Sequence, residues 1–134
     1  MARLADWSQR LARAIEARRR LPYAWGVNDC ALFAADMVEA QTGHDFGMPF
    51  RGRYTDEAGA RAILESLGHA DLAGLADSCL PRGAGRPQRG DVVLQPHPAG
   101  DFLAVVWGGG VVGPGERGLG LVPRALGAPW WRVG

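Results

Sequence analysis

The pattern of apolar residues changes once along this chain, near Pro81, and that change restricts the fold more than any other feature. Before Pro81, apolar residues recur at helical spacing, as Trp7, Leu11 and Ile15 do. After it, short apolar runs alternate with glycine and proline clusters, which is typical of short strands joined by tight turns. Helices followed by closely spaced strands predict an α+β fold, with helices packed on an antiparallel sheet.

Four helices are predicted in a mainly helical half, residues 1–80. Their predicted bounds are Asp6–Arg20, Cys30–Thr42, Thr55–Leu67 and Asp71–Leu80. Pro22 ends the first helix and Gly43 ends the second, because proline cannot continue a helix and glycine adopts the left-handed conformation that closes one. Asn28 or Asp29 is placed to cap the second helix, and Thr55 to cap the third.

The remaining half, residues 86–134, is predicted to form an antiparallel sheet of about five short strands. The candidate strands are Asp91–Leu94, Phe102–Trp107, Gly110–Val112, Leu119–Val122 and Trp130–Val133. Trp130 and Trp131 are adjacent, so on a strand they face opposite sides. One of them fills the core, and the other needs either a partner or a covering loop. The sequence has no internal repeat, and we predict a single domain over residues 1–134.

Charge and hydropathy exclude several classes of function. The formal net charge is +1, which argues against a broad electrostatic grip on nucleic acid. No apolar stretch approaches the length of a membrane span, and residues 1–7 lack the apolar run of a secretory signal. We therefore expect synthesis in the cytoplasm without a signal peptide, and any action outside the cell would follow lysis or assembly into a particle.

Neither a metal centre nor a cofactor is predicted. The two cysteines, Cys30 and Cys79, lack the C-x-x-C spacing of a zinc site, and the three histidines are scattered. Cys79 is expected to be a small buried residue on a helix face. His69 is expected to have a structural role at a helix end, where a cation is favourable.

The segment of residues 23–33 contains the main candidate for chemistry. A loop with Gly26 leads directly into a helix, and Cys30 lies in the first turn. The positive end of a helix lowers the pKa of a thiol, and its free N–H groups can hold an oxyanion, so Asp29 and Cys30 mark a candidate oxyanion site. The Tyr23 hydroxyl is a further donor. Alternatively, Cys30 is only a small packing residue.

This segment, Tyr-x-Trp-Gly-x-x-Asp-Cys-x-x-Phe, resembles the nucleophile segment of the NlpC-type cell-wall cysteine peptidases, papain-like enzymes that cut peptidoglycan stem peptides. Residues 90–94, Gly-Asp-Val-Val-Leu, are similar to the strand that precedes the family's catalytic histidine. The resemblance implies a papain-like fold in which Cys30 is the nucleophile. Residues 44–85 have no clear counterpart in the peptidases.

A branch of this superfamily, found in the tail modules of bacteriophages and gene-transfer agents, resembles nearly the whole chain. The matching motifs are Thr-Gly-x-Asp at 42–45, Arg-Gly-x-Tyr at 51–54 and Trp-Arg-Val at 131–133. This resemblance implies a virion component at the tail tip or baseplate, beside hub or fibre proteins.

The sequence departs from the peptidase pattern at the general base. A gapless match places Phe102 where the family has its histidine, and the next strand has no polar residue to orient a base. His97, five residues earlier, is the nearest replacement. His44 lies beyond the far end of the Cys30 helix, ~20 Å away by helical rise.

Three functions therefore stay open. The favoured one is a catalytically degenerate or weakly active protein that serves as a structural or docking component near the tail hub. The alternative is an active cysteine endopeptidase or amidase that cuts peptidoglycan stem peptides during cell-wall penetration. An unrelated cytosolic binding module is the third, and it explains the two ordered motifs poorly.

Overall fold

The computed structural model describes all residues, 1–134, as four helices followed by a five-stranded antiparallel sheet. The helices are α1 (Trp7–Arg18), α2 (Cys30–Thr42), α3 (Glu57–Ser66) and α4 (Leu72–Cys79). The strands are β1 (Val92–Gln95), β2 (Phe102–Trp107), β3 (Gly110–Gly115), β4 (Gly118–Val122) and β5 (Trp130–Trp131), and the sheet order is β4-β3-β2-β1-β5. The predicted α+β class and the order of helices and sheet are confirmed.

Helix α2 is the central element of the core. It begins at Cys30, and the preceding residue, Asp29, is its N-cap. The Asp29 Oδ1 accepts a hydrogen bond from the Leu32 N–H at 2.9 Å. It ends at Gly43, which has a φ of +81°. Helix α1 packs on α2, and β2 and β3 lie against it, so nearly every α2 residue is buried.

The sheet places its central hairpin beside the start of α2. Strand β1 pairs antiparallel with β2, with Val92 opposite Val105 and Gln95 opposite Phe102. Phe102 therefore opens β2 at the end where β1 finishes, and the connecting loop carries His97. This pairing is the predicted one, and Cys30 lies in the predicted first turn.

The predicted bounds of α1, α3 and α4 are wrong by one or two residues at each end. Helix α3 is capped by Asp56 instead of Thr55, because the Asp56 carboxylate reaches the Gly59 N–H at 2.7 Å. Helix α1 ends at Arg18 instead of Arg20, because the Arg19 carbonyl accepts a hydrogen bond from Leu119 of β4 at 3.0 Å.

Both adjacent tryptophans of β5 are buried. Trp131 is 0% exposed and donates through Nε1 to Asp77 at 2.8 Å, while Trp130 is 9% exposed and donates to the Gly85 carbonyl at 3.2 Å. Trp130 also packs directly on Gly83. A loop of the same chain therefore covers the second ring, so the covering loop is the correct one of the two alternatives.

The Gly-Asp motif at the start of β1 acts as a clamp. The Asp91 carboxylate is 2% exposed and accepts hydrogen bonds from the N–H groups of Gln88 at 2.8 Å and Val133 at 3.0 Å. It also lies 3.4 Å from the Arg3 guanidinium. Gly90, at a φ of +92°, has no room for a side chain beside Gln41. The motif thus joins β1 to distant parts of the chain.

Candidate functional site

A cleft of about 580 Å³ opens in front of the N-terminus of α2. Tyr23, Asp29 and Cys30 line it where the helix begins, and Leu94 and Phe102 line it from the sheet. Residues of α3 and α4 form the remaining wall. Fourteen of the twenty lining residues are hydrophobic, so the cleft suits an occupant with a large apolar surface.

A smaller cavity of about 310 Å³ lies next to this cleft. Its lining residues are Tyr23, Cys30, His97, Phe102 and Pro114. Tyr23, Cys30 and Phe102 line both spaces, whereas His97 lines only the smaller one. The structure therefore brings all the predicted site residues around one thiol, but His97 lies outside the main cleft.

The loop before α2 is fixed by the Asp29 carboxylate. Its Oδ2 accepts hydrogen bonds from the Gly26 N–H at 3.0 Å and from the Tyr54 hydroxyl, while its Oδ1 caps the helix at Leu32. Gly26 has a φ of +80°, and a side chain there would collide with the Tyr54 carbonyl oxygen. The Gly26 carbonyl in turn accepts from the Gly52 N–H at 2.9 Å. These bonds determine where Cys30 lies.

Burial raises the pKa of the Cys30 thiol to about 11, and the neighbouring Asp29 carboxylate acts in the same direction. Three neighbouring groups lower this pKa, namely the Leu103 backbone, the Tyr23 hydroxyl and the Ala31 backbone. Their combined effect is smaller than the increase caused by burial. The expectation that the helix N-terminus lowers the thiol pKa is therefore wrong, because desolvation outweighs the helix end. The thiol is protonated at neutral pH.

Tyr23 lies beside Cys30, and both residues line the two spaces. Burial, followed by the nearby Cys30 and Asp29, raises the pKa of Tyr23 above its usual range. The Tyr23 ring packs edge-on against Trp25 at 5.0 Å between centroids, and its N–H donates to the Gly115 carbonyl at 2.8 Å. A hydroxyl that stays protonated and is held in this way can donate to a bound carbonyl oxygen.

His97 shares the smaller cavity with Cys30, but no hydrogen bond joins the two side chains. Phe102 opens β2 at the position expected for a histidine, and the His97 ring packs edge-to-face on it at 6.1 Å between centroids. The His97 Nδ1 accepts a hydrogen bond from the Ala99 N–H at 3.1 Å, so the neutral ring carries its proton on Nε2. In that tautomer His97 has no free acceptor nitrogen. Strand β3, Gly-Val-Val-Gly-Pro-Gly, has no polar side chain to orient a base.

The other candidates lie away from both spaces. His44 and His69 line neither of them. Cys79 is a free, half-buried thiol packed against the core, with the Ser78 hydroxyl at 3.3 Å. No group of three histidine, cysteine or acidic side chains is arranged to hold a metal ion, and no helix has the length and apolarity to cross a membrane.

The Thr-Gly-x-Asp and Arg-Gly-x-Tyr motifs form one support for the site. Arg51 pairs with Asp45 and with Asp36 of α2, both at 2.8 Å, and Arg18 of α1 also reaches Asp36 at 2.8 Å. Tyr54, at the end of the second motif, is bound to Asp29. The loop of residues 43–54 is thereby held against the start and the middle of α2.

Sequence reasoning missed Tyr54 and the wall formed by α3 and α4. The Arg-Gly-x-Tyr motif was the signal for Tyr54, but the spacing of a motif does not show which carboxylate its hydroxyl will reach. The cleft residues Glu57, Arg61, Asp71 and Asp101 carried no signal, because exposed charges on helix ends and loops are ordinary.

Comparison with known proteins supplies a family but no described function. No curated protein and no solved structure matches the chain. Residues 2–133 match a family described as a domain of unknown function, DUF6950. Because that match extends over nearly the whole sequence, the chain belongs to the DUF6950 family.

Proposed function

We propose that this protein is a catalytically degenerate or weakly active NlpC-type protein with a papain-like arrangement. It serves as a structural or docking component near the hub of a phage tail or a tail-derived particle. One observation carries the catalytic part of the proposal: Cys30 opens α2 and shares a small cavity with Phe102, the residue that stands where the resemblance implies a base.

The chemistry of peptide cleavage explains why this substitution matters. The thiol must lose its proton to attack a carbonyl carbon, and the leaving amine must then receive one. With a pKa of about 11, only about one Cys30 in 10⁴ is a thiolate at pH 7. General-base assistance contributes ~10²–10⁴-fold to such reactions, so its loss leaves slow turnover at best.

The fold and the motif order support the superfamily assignment. A cysteine opens a helix that packs against an antiparallel sheet, and the Gly-Asp strand pairs with the strand that begins at Phe102. Both features match what the resemblance implies. The place in a tail tip or baseplate, beside hub or fibre proteins, rests on the tail-module motifs, whose residues brace the Cys30 helix.

The catalytic part is tested with purified peptidoglycan. We expect the wild-type protein to release little or no stem peptide, and Cys30→Ala to remove any slow release that the wild type shows. Phe102→His restores an imidazole at the base position and should raise any residual hydrolysis. Brisk cleavage by the wild type that Cys30→Ala abolishes would contradict the degenerate state.

The structural part is tested with intact particles. Quantitative mass spectrometry of purified tails or particles should find this chain in a fixed ratio to the hub protein. Its absence from particles that carry a complete hub would contradict a place in the tail. This result does not depend on whether the protein has any activity.

The alternative, an active cysteine endopeptidase or amidase that cuts stem peptides, is favoured by one observation. His97, Tyr23 and Cys30 line the same small cavity. His97 would have to release the Ala99 N–H before its Nδ1 could accept a proton. If this alternative holds, His97→Ala abolishes cleavage as fully as Cys30→Ala does.

A further inference from the structure

Helix α3 has an apolar stripe that the rest of the chain does not fully cover. Ala60, Ile63 and Leu64 fall on one face by helical spacing, yet no residue of α3 is buried. Ala60 and Leu64 line the cleft, as do Leu72 and Ala73 of α4, and all four are only half-buried. This face packs against the core only in part, and its remaining apolar surface borders the cleft.

The opposite wall of the cleft is also apolar. Leu94 of β1 and Phe102 of β2 are half-buried and line it, together with the exposed loop residues Ala99 and Gly100. The two walls enclose the cleft of about 580 Å³, which is large enough for several side chains of a bound segment. Such a segment would complete the packing of α3 and α4.

The rim of the cleft is acidic. Glu57, Asp71 and Asp101 are exposed carboxylates that line it, and Arg61 is the one cation among the lining residues. Glu57 already pairs with Arg61 at 3.3 Å. Asp71 caps α4, and the Asp101 side chain has no ion-pair partner. The unpaired negative charge favours a cationic occupant and disfavours phosphate-bearing ones.

We propose that this cleft binds a segment of a partner protein whose apolar side chains cover α3 and α4 and whose arginine or lysine pairs with Asp101 and Asp71. An apolar lining with an acidic rim matches a cationic, apolar polypeptide segment. The proposal rests on the proposed function for the partner's place in a tail, and it adds the chemistry that the partner must have.

The test uses the full chain and two short capped peptides. Both contain leucine and alanine, and one carries two arginines where the other carries two glutamates. We expect the arginine peptide to bind at least about tenfold more tightly at low ionic strength, with an advantage that decreases as salt screens the charges. Titration calorimetry measures the affinities, and amide chemical shifts locate the bound peptide.

The most direct test of the charge preference reverses the charge of Asp101. Asp101→Arg should reverse the preference, so that the glutamate peptide binds more tightly than the arginine peptide. Asp101→Asn should weaken the arginine peptide about two- to fivefold, the range expected for an exposed pair. Glu65→Gln is the matched control, because Glu65 is an exposed carboxylate on α3 that does not line the cleft, and it should change neither affinity.

A steric variant tests the location. Ala60→Trp places a large ring on the α3 wall and should abolish binding of the arginine peptide, while the unfolding midpoint stays close to that of the wild type. Equal binding of both peptides, binding of neither, or shifts confined to residues outside the cleft would overturn the proposal. Tighter binding of soluble peptidoglycan fragments in the same cleft would assign it to the wall polymer and also overturn it. None of these results changes what mass spectrometry of the particles would find. The peptide-binding proposal and the proposed place in a tail can therefore fail separately.

Discussion

Helices α2 and α3 both line the cleft, but they are held in opposite ways. Nearly every residue of α2 is buried, and its start is fixed by Asp29, Tyr54 and Gly26. No residue of α3 is buried, and its apolar face borders the cleft. One side of the cleft is therefore a rigid frame built by the motifs, whereas α3 on the other side is held only by partial packing against the core.

The two sides of the cleft also differ in how far their sequences resemble the peptidases. The segments that resemble the peptidases lie on the rigid side, in the loop before α2 and in β1. Residues 44–85, which have no clear peptidase counterpart, supply α3 and α4. Specificity for a partner would therefore reside in the part of the chain that resembles the peptidases least.

The largest expected effect compares one truncation on each side. Leu32→Ala removes a side chain of α2 that is 0% exposed and should lower the free energy of unfolding by about 4 kcal/mol. Leu64→Ala removes a half-buried side chain of α3 and should cost about 1 kcal/mol. Urea unfolding measures both values, and equal losses would show that α3 is held as firmly as α2.

The second comparison uses two glycines with positive φ. Gly26→Ala on the rigid side should cost about 3 kcal/mol, because left-handed backbone disfavours alanine and the added methyl group meets the Tyr54 carbonyl. Gly68→Ala, after α3, has a φ of +87° with open space around it and should cost only about 1 kcal/mol. Chemical denaturation of both variants checks the difference. A loss of only about 1 kcal/mol in Gly26→Ala would mean that the loop before α2 moves to accommodate the methyl group.

The third prediction concerns the reactivity of the thiol. In a Cys79→Ser background, iodoacetamide should modify Cys30 slowly at pH 7, because its pKa is about 11. Asp29→Asn keeps an oxygen that can cap α2 but removes the carboxylate charge and the Oδ2 acceptor of Gly26 and Tyr54. Alkylation at pH 8 should therefore become severalfold faster. Mass spectrometry follows the reaction. Rapid wild-type alkylation at pH 7 would show that the thiol is less desolvated than its position indicates.

The effect confined to the narrowest range of conditions is a pH dependence of stability. The Cys30 pKa rises on folding from 9.0 to about 11, so between these values the unfolded thiol loses its proton before the folded one does. The contribution of Cys30 is therefore fully present below pH 9 and decreases as the pH rises towards 11. Thermal unfolding of wild type and Cys30→Ala at several pH values should diverge only in this window. Parallel curves throughout would contradict a thiol pKa that rises on folding.

The sequence predicted the features that depend on local signals. Gly43 and Asp29 marked the ends of α2, and the glycine and proline clusters marked the strands, because caps and turns act over a few residues. The Tyr54–Asp29 hydrogen bond joins residues 25 positions apart, and residues 83–85 cover Trp130. No local sequence pattern predicts either of these contacts. The thiol pKa was predicted in the wrong direction because burial depends on the whole fold.

The Asp91 clamp has a consequence for how fast the protein folds. Its bonds to Arg3 and Val133 join residues 88 and 42 positions apart, so the chain must close long loops before either contact stabilises it. The β1–β5 pairing and the contacts of α2 with β2 add to this set of distant contacts. Folding rates decrease as the mean sequence separation of native contacts increases. We therefore expect folding in milliseconds to seconds, with the clamp formed late in the reaction.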